Sequence, residues 1–392
     1  MNRIIENSGC LRYLLFALNL FSVCTPHSVL ASVVPPQDMV IDFSATVDLY
    51  GQSFINQKIY GGFDTDNPER WGGNGWVCLS ETDPTYGACV TNMGNRPAPR
   101  PTIIKLRLKE RRSGITTLLN LRGLQSAFDD LPDHYNNANV AINYNKVMKT
   151  YYGELIAGKF ITVATGNSED EHDPTLNIID FIPIGGVWEG VLKLQERDAN
   201  NQKLATVILN VTFNITDTNH IDIYFPEFGT AAPLVPLNIH PTSGANPTPG
   251  GQDVTNLDMC LYDGFNVNSS KYEVLLEDGN HHTPAGRPMG WFSVYRDGGD
   301  ENQPRDRIDY QVRMNNPETD AMMNVRNGEL ITWNAVNTHR VRPVRLPSIS
   351  YPVLCAPTPL ELRVNKFATA DKNAGQYHGT LRVTFTPTTT TL

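Results

Sequence analysis

Apolar and polar residues alternate with period two along most of the chain. Ile104, Leu106 and Leu108 interleave with Lys105, Arg107 and Lys109. Val207, Leu209, Val211, Phe213 and Ile215 interleave with Ile208, Asn210, Thr212 and Asn214. The pattern returns at Ile221-Ile223-Phe225, Tyr272-Val274-Leu276, Leu360-Leu362-Val364 and Leu381-Val383-Phe385. Each run is short and bounded by Gly, Pro, Asn or Asp, the mark of half-buried antiparallel strands. No helix-period segment exceeds two turns, although residues 129–147 have room for a short helix. Short strands at regular spacing predict an all-β fold of sandwiches.

One break divides the pattern. Gly229-Thr230-Ala231-Ala232-Pro233 stands between the strand at Ile221–Phe228 and a new apolar run at Leu234–Ile239. Small residues and Pro between two strands read as a linker. The expected domains are therefore 32–228 and 234–392, with 229–233 between them. Pro241–Asp253 and Asp297–Arg307 read as polar loops inside the second domain. Met39, Ile41 and Phe43 alternate near the start and predict the first strand of the first domain.

The first thirty residues do not fit the pattern. The start is weakly basic (Arg3, Arg12), Leu11 to Val23 is a mostly apolar run, and Val29-Leu30-Ala31 supplies small residues at −3 and −1. That is a signal peptide over 1–31, cleaved before Ser32. The alternative, an uncleaved anchor, needs ~20 apolar residues, more than this run offers. Export makes the four remaining cysteines disulfide candidates. Cys78, Cys89, Cys260 and Cys355 allow three pairings, and proximity favours Cys78–Cys89 with Cys260–Cys355.

Charge and composition narrow the function classes. The 392 residues are 19% charged, carry a net charge of −9, and include 30 Gly and 27 Pro. An acidic chain lacks the footprint of a nucleic-acid binder, and 40% hydrophobic content argues against intrinsic disorder. There is no CxxC and the histidines are scattered, so no metal site is expected. Asp64-Thr65-Asp66-Asn67 opens like a calcium loop without its Gly and final Glu. No nucleophile elbow, HExxH, P-loop or GxGxxG occurs, so no enzyme and no cofactor are expected; a glycosidase carboxylate pair has no sequence spacing to read.

Particular segments are more specific. Ile184-Gly185-Gly186-Val187-Trp188-Glu189-Gly190-Val191-Leu192-Lys193-Leu194 resembles the GGVW-x-x-VLKL segment of class 5, colonisation-factor type fimbrial tip adhesins, the CfaE/CblD-like family. In the same order follow Val211–Asp217, Tyr224–Phe228, Asp258–Gly264, Asn268–Ser270, Pro352–Cys355, Ala374–Gly379 and Val383–Pro387. Earlier, Arg70 followed by Cys78-Leu79-Ser80 and Gly87-Ala88-Cys89, and Lys109–Ser113, have counterparts. The resemblance covers residues 180–392 with few gaps and the first domain in patches.

The resemblance implies two immunoglobulin-like sandwiches, an adhesin domain and then a pilin domain lacking its last strand. A donor strand from the major pilin subunit would complete the second, after a periplasmic chaperone and an outer-membrane usher have handled it. Leu381, Val383 and Phe385 would edge the acceptor groove. Passage through the periplasm to the fimbrium tip and a host-cell surface glycoconjugate as receptor are implied too. The family's receptor arginines map to Arg70 and to a pair occupied here by Asp198 and Ala199, with Arg197 next to them.

Other residues bear on the receptor from their own chemistry. Trp71 and Trp76 flank Gly72-Gly73-Asn74-Gly75, and a ring beside such a loop can stack on a sugar; the other reading packs at least one of them under the cystine loop. Lys105, Arg107, Lys109, Arg111 and Arg112 read as the wet face of a strand or as part of an anionic glycan site. The alternative to an adhesin is a structural minor pilin that initiates the fibre.

Overall fold

The computed structural model describes residues 33–388 apart from 96–100, 129–134, 150–154, 157, 167–176, 231, 243–249 and 280–282. The segment expected to be a signal peptide lies outside the described residues. Within them the chain is strands joined by turns, with short 3-10 turns and no α-helix.

The first domain is a ten-stranded sheet folded into a sandwich. Towards one end of the sheet stands the hairpin of Gly186–Arg197 and Lys203–Thr216, antiparallel with Leu209 opposite Leu192. Period-two alternation puts Leu192, Leu194, Val207, Leu209, Val211 and Phe213 on one side, all buried. Met39–Asp48 is indeed the first long strand. It lies parallel to Lys203–Thr216 at the sheet's edge, Met39 opposite Val207 and Asp48 opposite Thr216. Tyr135–Ala141, within the span that had room for a helix, is a strand paired with Thr116–Phe128. Pairing with an already formed neighbour outweighs weak helical preference.

The second domain packs a seven-stranded, a three-stranded and a four-stranded sheet. Residues expected to close the first domain belong here: Asp222–Tyr224 pairs with Cys260–Tyr262. The alternation of Ile221–Phe228 is therefore real, but its partner comes later in the chain, and the crossing point is the 3-10 turn Thr218–His220. The polar stretch Pro241–Asp253 likewise contributes its ends to strands His240–Thr242 and Gly250–Leu257. Both cystines form in the favoured pairing, with Cα–Cα distances of 5.3 Å for Cys78–Cys89 and 5.7 Å for Cys260–Cys355.

The two domains share a core. Cys260, Tyr262, Val353 and Cys355 of the second pack with Trp188, Phe213 and Ile215 of the first. A β-carbon on Gly185 would stand 2.1 Å from the Gly264 carbonyl oxygen, so only glycine permits that approach. Beside it lies Glu110, fully buried. Its Oε2 accepts from Ser113 N (2.6 Å), Ser113 Oγ (2.6 Å), Arg112 N (3.1 Å) and, across the junction, Asn266 Nδ2 (2.7 Å). Its Oε1 accepts from Val187 N and Asn268 Nδ2, each at 3.3 Å. Arg112, counted in the basic run, turns inward and donates to the carbonyls of Val267 and His339. Val267 holds φ +58, a left-handed conformation a β-branched residue rarely takes. Its N–H is held by Asp263 Oδ1 at 2.8 Å.

Candidate functional site

Arg70 sits on a turn built by Asp64. The Asp64 Oδ1 accepts the N–H groups of Asp66 (3.0 Å) and Asn67 (2.9 Å), and Oδ2 lies 3.4 Å from Arg70 Nη1. The Asn67 N–H first, then those of Asp66 and Arg70, hold its carboxyl below the usual range. Arg70 is half-exposed, and its guanidinium lies 4.4 Å from the centroid of the Trp71 ring. Trp71, expected to offer an open ring, is 9% exposed: Gly72 N–H to Pro68 O and Asn74 N–H to Trp71 O fold the turn inward. Trp71 therefore backs Arg70 rather than standing free. Trp76 is fully buried in the first core with Cys78 and Cys89.

The hairpin carrying Arg197 meets this turn. A β-carbon on Gly73 would be 3.3 Å from the Ala199 methyl. Arg197 is tied down, donating to Gln195 Oε1 from Nε and Nη2 and to Asn201 Oδ1 from Nη1 (3.0 Å). Asp198 shapes the hairpin, accepting from Asn200 N (2.9 Å) and Gln202 N (2.8 Å). Asparagines missed in the sequence complete the surface. Asn143 Nδ2 donates to Asn92 O (2.9 Å), Asn145 Nδ2 to Ala199 O (3.4 Å), and Asn201 Nδ2 to Asn92 Oδ1 (3.4 Å). They come from loops far apart in the chain, so no local spacing marks them.

A buried polar floor supports the turn. Asn74 Nδ2 donates to Glu196 Oε1 at 2.8 Å, and the Asn74 carbonyl accepts from Lys159 Nζ (3.0 Å) and Gln125 Nε2 (3.2 Å). Glu196 and Lys159 are both buried. Burial raises the Glu196 carboxyl and lowers the Lys159 ammonium to about 7. Between about pH 7 and the unfolded lysine value near 10.4, the unfolded chain holds a proton that the native state lacks, so stability rises with pH. We expect the first domain's melting temperature to climb from pH 7 to 9.5 and the climb to vanish in Lys159→Met. A flat wild-type profile by calorimetry would contradict this.

The second domain has an open edge. Leu381–Thr388 pairs on one side with Lys271–Asp278, Val274 opposite Phe385, and no strand lies on its other side among the described residues. Facing that edge, extended residues 234–239 carry no ladder, with Val235, Leu237 and Ile239 half-buried against the second core. Between them runs a cleft of about 420 Å³ lined by Leu381, Val383, Val235, Leu237, Phe225 and Leu257, among others. Leu381 and Val383 thus border the cleft, whereas Phe385 lies against the Tyr272 ring, centroids 4.9 Å apart. Leu234, at the rim, is 87% exposed.

Comparison with known proteins agrees with this architecture. Residues 28–218 match the family model of the first domain of CfaE, the E subunit of CFA/I fimbriae, and residues 221–389 match that of its second domain. The junction between these matches falls at the 3-10 turn where the chain changes sheets. The CFA/I fimbrial E subunit of Escherichia coli is 30% identical over 326 residues, 81% of each chain. The crystal structure of CfaE, the adhesive subunit of CFA/I fimbria of enterotoxigenic E. coli, superposes with a TM-score of 0.74 at 25% identity, covering 91% of this chain and 94% of that one. A chain of the chaperone–tip adhesin complex of CFA/I fimbriae biogenesis shares the fold, with a TM-score of 0.61 at 24% identity over 91% of this chain and 98% of that one. The chain belongs to the CfaE family of fimbrial tip adhesins, with an N-terminal adhesin domain and a C-terminal pilin domain.

Proposed function

We propose that the first domain binds a host-cell surface glycoconjugate through the loops around Arg70, and that the cleft of the second accepts a donor strand from the major pilin subunit. The open Leu381–Thr388 edge facing unladdered residues 234–239 carries the second part. A strand inserted there adds ladder hydrogen bonds on its backbone and buries alternate side chains. A periplasmic chaperone covers the same edge before assembly, and an outer-membrane usher passes the protein to the surface, with residues 1–31 as the export signal.

The receptor reading rests on Arg70. It is the half-exposed cation of the turn and is backed by Trp71, and the hairpin that meets this turn carries hydrogen-bonded asparagine side chains. Asparagine amides donate and accept, which suits sugar hydroxyls. Trp71 backs Arg70, and Arg197 is held by Gln195 and Asn201, so neither is offered to the ligand as a free group. Arg70→Ala should weaken binding to receptor-bearing cells about tenfold without lowering the melting temperature, the effect of losing one charge-assisted contact. Cell or glycan-array binding unchanged by Arg70→Ala would move the receptor site elsewhere on the domain.

A further inference from the structure

We infer that the outer face of strand Thr102–Glu110 is a second binding surface, for a linear sulfated polysaccharide. The inference rests on the first domain being the host-facing one, but not on Arg70. In a chain of net charge −9, Lys105, Arg107 and Lys109 all stand exposed on one side of a single strand. Alternate residues of a strand are about 6.6–6.8 Å apart, so the three cations form a straight row about 13 Å long. The strand beside them offers no opposing charge: Asn120, Leu118 and Thr116 stand opposite Lys105, Arg107 and Lys109.

On the other side, the Cys78–Cys89 loop inserts its turn Pro84–Tyr86. Arg107 Nη1 donates to Thr85 Oγ1 at 2.9 Å, and Lys193 Nζ lies 3.9 Å over the Tyr86 ring. The cystine loop thus positions a fourth cation alongside the row. Two carboxylates face this surface. Asp83 is 3.9 Å from Arg107, and Glu189 pairs with Arg111 at 2.6 Å. Lys105 and Lys109 form no ion pair among the described residues, although Glu189 stands opposite Lys109 in the ladder with Gly186–Arg197.

Geometry selects the partner. A rigid row of ammonium and guanidinium groups complements fixed sulfates recurring along one flexible chain, and attraction grows with the number of pairs engaged at once. Nucleic acid fits less well, because Tyr86, with Lys193 Nζ 3.9 Å over its ring, is a single ring beside the row and not a series on which successive bases stack. An anionic membrane fits less well, because the large apolar side chains exposed beside the row are Leu118 and Tyr86, too little to insert, and the element is a strand, not an amphipathic helix.

The test is retention of the full chain on immobilised heparin at physiological salt. Lys105→Ala with Lys109→Ala should weaken binding by roughly tenfold, with a shallower dependence on salt. Lys146→Ala with Lys149→Ala, exposed lysines in another loop, should leave it unchanged. Arg70→Ala should also leave heparin binding unchanged, so failure of the Arg70 site and failure of this one are separate results. Wild-type flow-through at physiological salt, equal loss in both lysine pairs, or an effect confined to DNA or phosphatidylserine vesicles would overturn the assignment. Matching melting temperatures show that each variant is folded.

Discussion

A peptide from a major pilin's N-terminal extension, fused through a short linker to the C-terminus, is expected to raise the melting temperature of the second domain by about 10–20 °C. The estimate takes a surplus on the order of 5 kcal/mol from buried apolar side chains and ladder hydrogen bonds over the cost of ordering the peptide. For a domain of this size each kcal/mol shifts the midpoint by about 2–4 °C. The cleft between Leu381-Val383 and Val235-Leu237 is ready for such side chains. Val383→Asp, which places a carboxylate on its wall, should abolish the gain, and so should a peptide with polar residues at the alternate positions. Equal melting with and without the native peptide would show that the cleft is not an acceptor groove.

The period-two pattern makes most of the fold legible, because a strand with one face on a core must alternate. It also carries information that is easy to pass over. Continuing the inward parity of Ile104, Leu106 and Leu108 by one step reaches Glu110, and continuing Leu192 and Leu194 reaches Glu196. Both carboxylates are fully buried. An acid on the core side of a strand is costly unless its oxygens are satisfied; both Glu110 oxygens are, whereas Glu196 is met at Oε1 alone, by Asn74 Nδ2 and Gly62 N, and its Oε2 is buried without a partner. Glu110 joins the domains, and Glu196 braces the turn that presents Arg70.

Two features escape that pattern. The domain crossing lies earlier than the linker composition implies, because Ile221–Phe228 alternates like its predecessors and nothing local reveals that its ladder partner is Cys260–Tyr262. The asparagine rim is invisible because Asn92, Asn143, Asn145 and Asn201 are assembled only by the fold. The position of Arg70, by contrast, follows from resemblance, and the geometry adds its partners, Asp64 and Trp71.

Glu110→Ala is expected to cost about 3–5 kcal/mol and to uncouple the domains, the penalty for removing one member of a buried charged network. The Asn266 amide, the Ser113 hydroxyl and backbone donors of Val187, Arg112 and Ser113 would lose their acceptor in one step, and Asn268 would keep only its bond to Phe265 O. Asn266 is coupled further, since its Oδ1 accepts from Leu354 N at 2.7 Å, next to the Cys260–Cys355 cystine. The loop containing Val267 is held in its left-handed conformation partly by the same cluster, so amide exchange over 263–270 should accelerate more than elsewhere. Glu110→Gln keeps the shape and one acceptor oxygen and should fall between. Glu189→Ala is the control, because its pair with Arg111 is exposed and such pairs contribute about 0–1 kcal/mol. If Glu110→Ala costs no more than Glu189→Ala, and calorimetry shows the coupling of the two transitions unchanged, then the shared apolar core alone joins the domains and the buried carboxylate is incidental to it.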